Sequence, residues 1–274
     1  MKNTNGTLWG SYLQTCSQLN KTPVINLDTT LNHKFSIHSA EDLNPGEMPV
    51  TKYIAIGNGG INLNSQLGTQ VPEPVGHQPD SVALYNHIPF LVREASNDIS
   101  GSEQQRYRMR KQITVNGVQY IAYYLRVLDI SNSTPTLVNR TITNSSMVTS
   151  NYTPDIAEIV TSPTPPVNLP STPNQPTTEF VSVTTEIPFN LTSDEVNDIK
   201  EACSTLYGNV NHAVISEIGI YSGVDRTLSG SGGNYTEVVV AQPQTFMSTL
   251  YSLTVVDTKL SITIHYGDDL GKLT

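Results

Sequence analysis

Arg106, Arg108 and Arg110, followed by Lys111, form the only basic cluster in the chain. In an extended strand, residues two apart share a face, so the three guanidinium groups would stand in a row. Like charges along a row repel, and such a row calls for acidic partners. The pattern predicts a salt-bridged subunit contact, with a solvated strand face as the alternative. Gly57-Asn58-Gly59-Gly60 after a short β-type run invites a phosphate-loop reading. It lacks the lysine followed by Ser or Thr, and no helical pattern follows, so a tight bend near a subunit contact is expected instead. His33, His38, His77, His87, His212 and His265 never pair at helical spacing or beside cysteine, so no metal site is expected. Glu73, Asp80, Glu94 and Asp98 share one loop-rich region where a carboxylate pair is conceivable, although acidic loop residues are more often only solvated. There is no Gly-x-Ser-x-Gly, and Cys16 and Cys203 carry no family signature. The residues therefore point to no catalytic group, no cofactor and a protein that is not an enzyme.

The elements that would position these residues read as mainly β with minor α. Residues 1–45 look like a polar arm in which Ile25, Leu27, Phe35 and Ile37 mark short extended pieces. Residues 46–160 read as a β-rich module whose clearest feature is a hairpin. Arg106–Val115 and Val118–Leu128 alternate around Asn116-Gly117, the residues a type I′ turn needs. The run Tyr120 to Leu125 is apolar or aromatic on both faces, which makes Tyr120, Tyr123 and Tyr124 candidate subunit contacts. Pro89 interrupts the apolar run Val82–Val92 and limits it to an edge or broken strand. Residues 161–178, dense in Pro and Thr, predict an extended connector. The second module, 179–274, carries a strand over Glu179–Phe189 and one helix. Thr192 and Glu195 stand at capping-box spacing, Val196, Ile199, Ala202, Cys203 and Leu206 share a face, and Gly208 is the stop. Four strands follow, Ala213–Tyr221, Tyr235–Ala241, Leu250–Val256 and Leu260–Tyr266, with a tight turn at Asp257-Thr258. The fold expected is two antiparallel β-rich modules with one amphipathic helix packed in the second.

Charged residues make up only 14 % of the 274, below the roughly 25 % usual in soluble domains, and short neutral polar side chains fill the gap. Such a surface costs little to desolvate against a partner. The net charge of −9 argues against nucleic acid as a partner. Two distant cysteines argue against a disulfide framework and fit a reducing cytoplasm. The N-terminal residues lack a signal-peptide pattern, and no apolar run is long enough for a membrane span, so no membrane anchoring is expected.

The second half carries a further signal. Glu195–Gly208 followed by Ala213-Val214-Ile215-Ser216-Glu217-Ile218-Gly219-Ile220-Tyr221-Ser222-Gly223-Val224-Asp225 resembles segments of structural proteins from tailed-phage virions. Ile215–Tyr221 is similar to the Glu-Ile-Gly-Leu-Tyr-Asp type of strand in tail-fibre and tail-collar modules, where a Gly-rich loop and another strand follow. Tyr53–Gly60, with Ala83-Leu84-Tyr85, Ile88-Pro89-Phe90 and Tyr107-Arg108-Met109-Arg110, resembles baseplate or neck components of the myovirus type. The resemblance implies a structural tail subunit, located in the virion and assembled in the bacterial cytoplasm. As a baseplate or fibre-attachment component it would hold other tail proteins by strand and arm contacts, as a homo-oligomer in a ring or wedge. Glu217, Ile218, Tyr221 and Tyr235 are then candidate edge-strand or loop contacts. A neck or collar connector, and a receptor-binding module contacting host glycan, are the alternatives.

Overall fold

The computed structural model describes residues 4–66, 69–143, 146–154, 179–230, 233–254 and 259–271. The Pro-rich stretch 161–178 and the turn at Asp257-Thr258 lie outside the described residues. The chain opens with strand β1 (Thr4–Gly6), helix α1 (Leu8–Gln18) and helix α2 (Leu31–Phe35). Strands β2 (Val50–Gly57), β3 (Ile61–Gln66), β4 (Thr69–Pro74), β5 (His87–Ile88) and β6 (Leu91–Glu94) follow. Next come helix α3 (Gly101–Gln104), then β7 (Tyr107–Val115), β8 (Val118–Val127), β9 (Thr136–Thr143), β10 (Ser146–Asn151) and β11 (Glu179–Leu191). Helix α4 (Ser193–Tyr207) precedes β12 (Val214–Gly230), β13 (Gly233–Ser252) and β14 (Leu260–Gly271). The fold is mainly β with minor α, and the described strand pairs are antiparallel. Among the described residues no helix is long and apolar enough to cross a membrane.

Two units divide the chain, and not where a linear reading places them. The first contains residues 1–128 and 190–261, the second 129–189 and 262–274. The expectation of one module over 46–160 and another over 179–274 is corrected by strand pairing. β2, from the first half of the sequence, lies beside β12, from the second, in a register running from Gly57↔Glu217 to Val50↔Gly223. The sheet of the first unit runs β1-β13-β12-β2-β8-β6, with β5 on β2 and β7 on β8. In the second unit the order is β10-β9-β11-β14.

Local chemistry explains the elements that sequence signals mark. Asn116 and Gly117 take φ values of 50° and 81°, the left-handed pair that joins β7 to β8 without splaying them. Pro89 falls between β5 and β6, where no ladder donor is required. Helix α4 starts with a reciprocal capping box: Glu195 N–H donates to Thr192 Oγ1 and Thr192 N–H donates to the Glu195 carboxylate. It stops at Gly208, whose φ of 68° is left-handed. Its buried face, Val196, Ile199, Ala202 and Cys203, packs against β5 and β6.

The N-terminal arm departs from expectation. It is helical where short extended pieces were read, because Thr7 and Thr30 cap helices through their side chains. Leu13 and Ile25 join Val239 and Val240 in one buried cluster, while Leu31, Phe35 and Ile37 enter the larger core with Tyr53, Leu125 and Phe246. Gly10 lets α1 sit close on β13, since a Cβ there would meet the Gln244 carbonyl oxygen at 2.9 Å.

The N-cap and the ion pairs of α4 can be separated by mutation. Thr192→Ala removes one cap bond and is expected to cost about 1 kcal/mol in urea unfolding. Glu195→Ala also strands Arg106 and Arg126, which both pair with this carboxylate, and is expected to cost more, about 3 kcal/mol. Equal losses in the two variants would contradict this arrangement.

Candidate functional site

Glu217 lies on β12, the strand flanked on both sides by β13 and β2, and its side chain is fully buried. Burial without partners would be prohibitive for a carboxylate. Two loops supply the partners. Gly59 N–H and Asn86 N–H donate to Oε1, both at 2.9 Å, and Tyr85 N–H donates to Oε2 at 3.0 Å. The Gly-rich turn is therefore an anion cradle after all, filled by the chain's own carboxylate. Glycine is required for the close approach: a Cβ at position 57 would meet Glu217 Oε1 at 2.6 Å, and one at position 60 would meet the Ser216 carbonyl at 2.4 Å.

Around this carboxyl sit groups that lean toward their uncharged forms. Burial raises the Glu217 pKa against the lowering effect of its N–H donors and of Lys34. His77 Nε2 lies 3.1 Å from Glu217 Oε2, and burial lowers the His77 pKa. The His77 ring stacks on Phe246 at 4.3 Å and leans on Tyr85 at 4.4 Å. His87 accepts from Leu84 N–H, and burial pushes its pKa down to about 3. Lys34 donates to the Leu84 carbonyl at 3.1 Å.

Glu237 on β13 repeats the arrangement. It is fully buried and accepts from Met109 N–H at 2.7 Å, Arg110 N–H at 2.8 Å and Val238 N–H at 2.8 Å. Met109 takes a φ of 57°, a conformation that β7 adopts opposite this carboxylate. Burial again raises the Glu237 pKa over the effect of its donors.

The arginine row does find acidic partners, but within the chain, which corrects the expectation of a subunit contact. Arg108 makes a two-pronged bond to Asp225, Nε at 2.7 Å and Nη2 at 3.2 Å. Lys52 and the Tyr53 hydroxyl complete the shell of Asp225 at 2.7 and 2.9 Å. Arg110 pairs with Asp98 at 2.8 Å and lies over the Tyr235 ring. Arg106, half-exposed, pairs with Glu195. Asp98 also accepts from the Tyr123 hydroxyl at 3.0 Å, so this member of the acidic loop group holds structure.

The tyrosines and the β12 residues are corrected likewise. Tyr123 and Tyr124 are buried, Tyr124 against Phe35 at 4.5 Å, and Tyr120 packs on the same core. Cover for this strand comes from α2 and the sheet itself. Glu217, Ile218 and Tyr221 are buried in a central strand, not displayed at an edge. Tyr235 is half-buried and its hydroxyl is 2.8 Å from His38 Nε2. The residues sequence reasoning passed over are Asp225, Glu237 and Asn32. Buried Asn32 spans the irregular β13 backbone, accepting from Ala241 N–H at 2.8 Å and donating to the Val238 carbonyl at 2.9 Å. The chemistry of this region is clamping. An open depression of about 460 Å³, lined by Asn58, Ile61, Pro72, Asn211, His212, Val214, Ser216 and Leu250, lies nearby with no acid at its rim. Among the described residues no three His, Cys, Asp or Glu side chains converge as a metal would require.

Glu217→Ala leaves buried N–H donors of two loops unpaired and is expected to lower stability by about 3 kcal/mol. The pH dependence has a definite sign. Glu217 and Glu237 bind their protons more tightly folded than unfolded. Their contribution is full below the unfolded carboxyl value and is lost as pH rises through the raised folded values. Asp225 is lowered, because the bonds to Arg108, Lys52 and Tyr53 outweigh its burial. Its contribution is present above the unfolded value and is lost as pH falls through the depressed one. Urea unfolding over a pH series should find the high-pH decline flattened in a Glu217→Gln, Glu237→Gln double variant. The acid-side decline should be reduced in Asp225→Asn. Unchanged profiles would refute both assignments.

No curated protein and no solved structure matches the chain. Over residues 1–274 it matches the family of unknown function DUF7208, and it belongs to that family.

Proposed function

We propose that the protein is a structural subunit of a bacteriophage tail, at the baseplate or a fibre-attachment point, which holds neighbouring virion proteins by surface contacts. The observation that carries this reading is where the two phage-like strings lie. Tyr53–Gly60 and Ile215–Tyr221 are far apart in sequence, yet they form adjacent strands paired from Ile54↔Ile220 to Gly57↔Glu217. The Gly-rich end of one wraps the glutamate of the other. The resemblance therefore falls on one physical unit, a strand pair with its anion clamp, and both strings are explained by the same requirement. A buried glutamate in the second strand needs glycines at the end of the first.

The energetics favour the same reading. The Glu217 carboxyl of this unit is occupied with three backbone donors and with His77, which suits a rigid joint better than a reaction centre. The neutral polar composition suits permanent contact with other proteins.

The test is location in a particle. Virions assembled in cells that carry this gene with its neighbours would be purified and analysed by mass spectrometry. An epitope-labelled copy of the chain would be imaged by electron microscopy. The expected result is a fixed copy number per particle, with the label at the distal tail. Absence from purified particles, or a label on the head, would overturn the proposal.

A further inference from the structure

Helix α1 has two apolar sides, and only one of them is used. Leu13 and Cys16 face the sheet. Leu8, Tyr12 and Leu19 occupy the opposite side at helical spacing and remain 55 %, 39 % and 65 % exposed. Val24, 85 % exposed, extends this stripe, because its backbone N–H and carbonyl both bond the Tyr12 hydroxyl, at 3.0 and 3.3 Å. The result is an exposed apolar stripe along one side of the helix, a grouping that scattered single surface apolar residues do not make. The helix itself carries no charge: between Lys2 and Lys21 every residue is neutral. A surface helix without a single charged residue is unusual where water is its only neighbour.

We infer that this face joins a second copy of the chain, α1 packing antiparallel on the partner's α1 about a two-fold axis. The spacing is what selects a second copy. An isologous contact requires a patch that complements itself when turned end for end. The row Leu8, Tyr12, Thr15, Leu19 has gaps that read the same in both directions. With the axis passing between Leu13 and Gln14 along the helix, Leu8 of one copy meets Leu19 of the other and Tyr12 meets Thr15. The ends of the helix are complementary too. Asp80 sits at the N-terminal end, where its carbonyl accepts from the Trp9 indole at 3.2 Å, and its side chain is exposed. Lys21 sits at the C-terminal end, where its N–H donates to the Cys16 carbonyl at 2.9 Å, and it too is exposed. Antiparallel packing brings Lys21 of each copy toward Asp80 of the other and opposes the two helix dipoles favourably. A chain of net charge −9 repels its own copies, and a charge-free stripe with one complementary pair at each end is where that repulsion is least.

This inference deepens the assembly reading by naming a partner and a surface, and it rests on that reading only for the expectation that copies meet. It is tested on the isolated full chain by sedimentation equilibrium, so a negative result here and a negative result in the virion are separately visible. The wild-type chain is expected to be dimeric at micromolar concentration. Leu19→Glu should raise the dissociation constant at least roughly 100-fold, with an unchanged circular-dichroism spectrum. Lys21→Glu and Asp80→Lys should each weaken the dimer by roughly fivefold at low salt, and the double charge reversal should restore it. Restoration is the decisive readout, since a helix damaged by substitution is not repaired by reversing a second charge. A wild-type chain that stays monomeric, a dimer indifferent to Leu19→Glu, or a double reversal no better than the single variants would each overturn the inference.

Discussion

A carboxylate removed from water must be met by donors, and in this protein that rule organises the first unit. Glu217 and Glu237 stand on the two longest strands, and both are fully buried. Neither is neutralised by a close lysine or arginine head group alone. Each instead draws in three backbone N–H groups. A backbone donor cannot swing away as a side chain can, so each carboxylate fixes the path of the segments that serve it. Glu217 thereby sets both the Gly-rich turn after β2 and the approach to β5. Glu237 fixes the left-handed kink at Met109. Replacing either glutamate disturbs loops rather than only strands.

The same logic extends to the irregular course of β13. Its register against β12 shifts between Ile215 and Glu217, between Ile220 and Tyr221, and between Ser222 and Val224, each time with an extra residue on the β13 side. Bulges bend a strand and raise its twist, which a strand of this length needs to follow the core. They also leave ladder groups unpaired. Asn32 answers for the bulge around Val240, whose φ of 54° is costly for a β-branched residue. Thr7 answers for another, its N–H and hydroxyl donating to the carbonyls of Gln244 and Pro243 at 3.1 and 2.6 Å. The N-terminal helices are therefore fittings for the bulged strand, and their packing on β13 follows from its defects.

This explains which features a single sequence discloses. The β7–β8 hairpin and α4 are legible because their signals are local: Asn116-Gly117 in one case, Thr192, Glu195 and Gly208 in the other. Overall β content is legible for the same reason. The arginine row discloses a demand for acidic partners, but not which acids answer it: Asp225 and Glu195 lie 117 and 89 residues away, and Asp98, although only 12 residues from Arg110, carries no local sign of the pairing. Glu217 is expected at an edge or loop contact only through the resemblance, and nothing local to it marks its burial. Its donors lie 131 and 158 residues away, beyond any local pattern. Helix α1 was missed for a different reason. It offers few apolar positions to the core and has a glycine at its contact point, so its periodicity is weak although its Thr7 cap is sound. The linear division into modules failed because strand order in the sheet interleaves the two halves.

The economy of charge follows from the same constraints. Lys52, Arg93, Arg106, Arg108, Arg110, Arg126 and Arg226 all pair within the chain, and Arg226 draws in both Glu41 and Glu47. The bond to Arg226 holds the Glu47 carboxyl down to about 2. With much of the basic complement committed inside, the surplus of acidic residues faces outward as a diffuse negative field. At physiological salt that field decays within about 8 Å, so it discourages approach without preventing contact. A net negative field of this kind favours recognition at short range, by shape and by neutral surface, over long-range steering. The ion pairs thus bind the chain's own loops to its strands, as Arg226 on β12 does with Glu41 and Glu47.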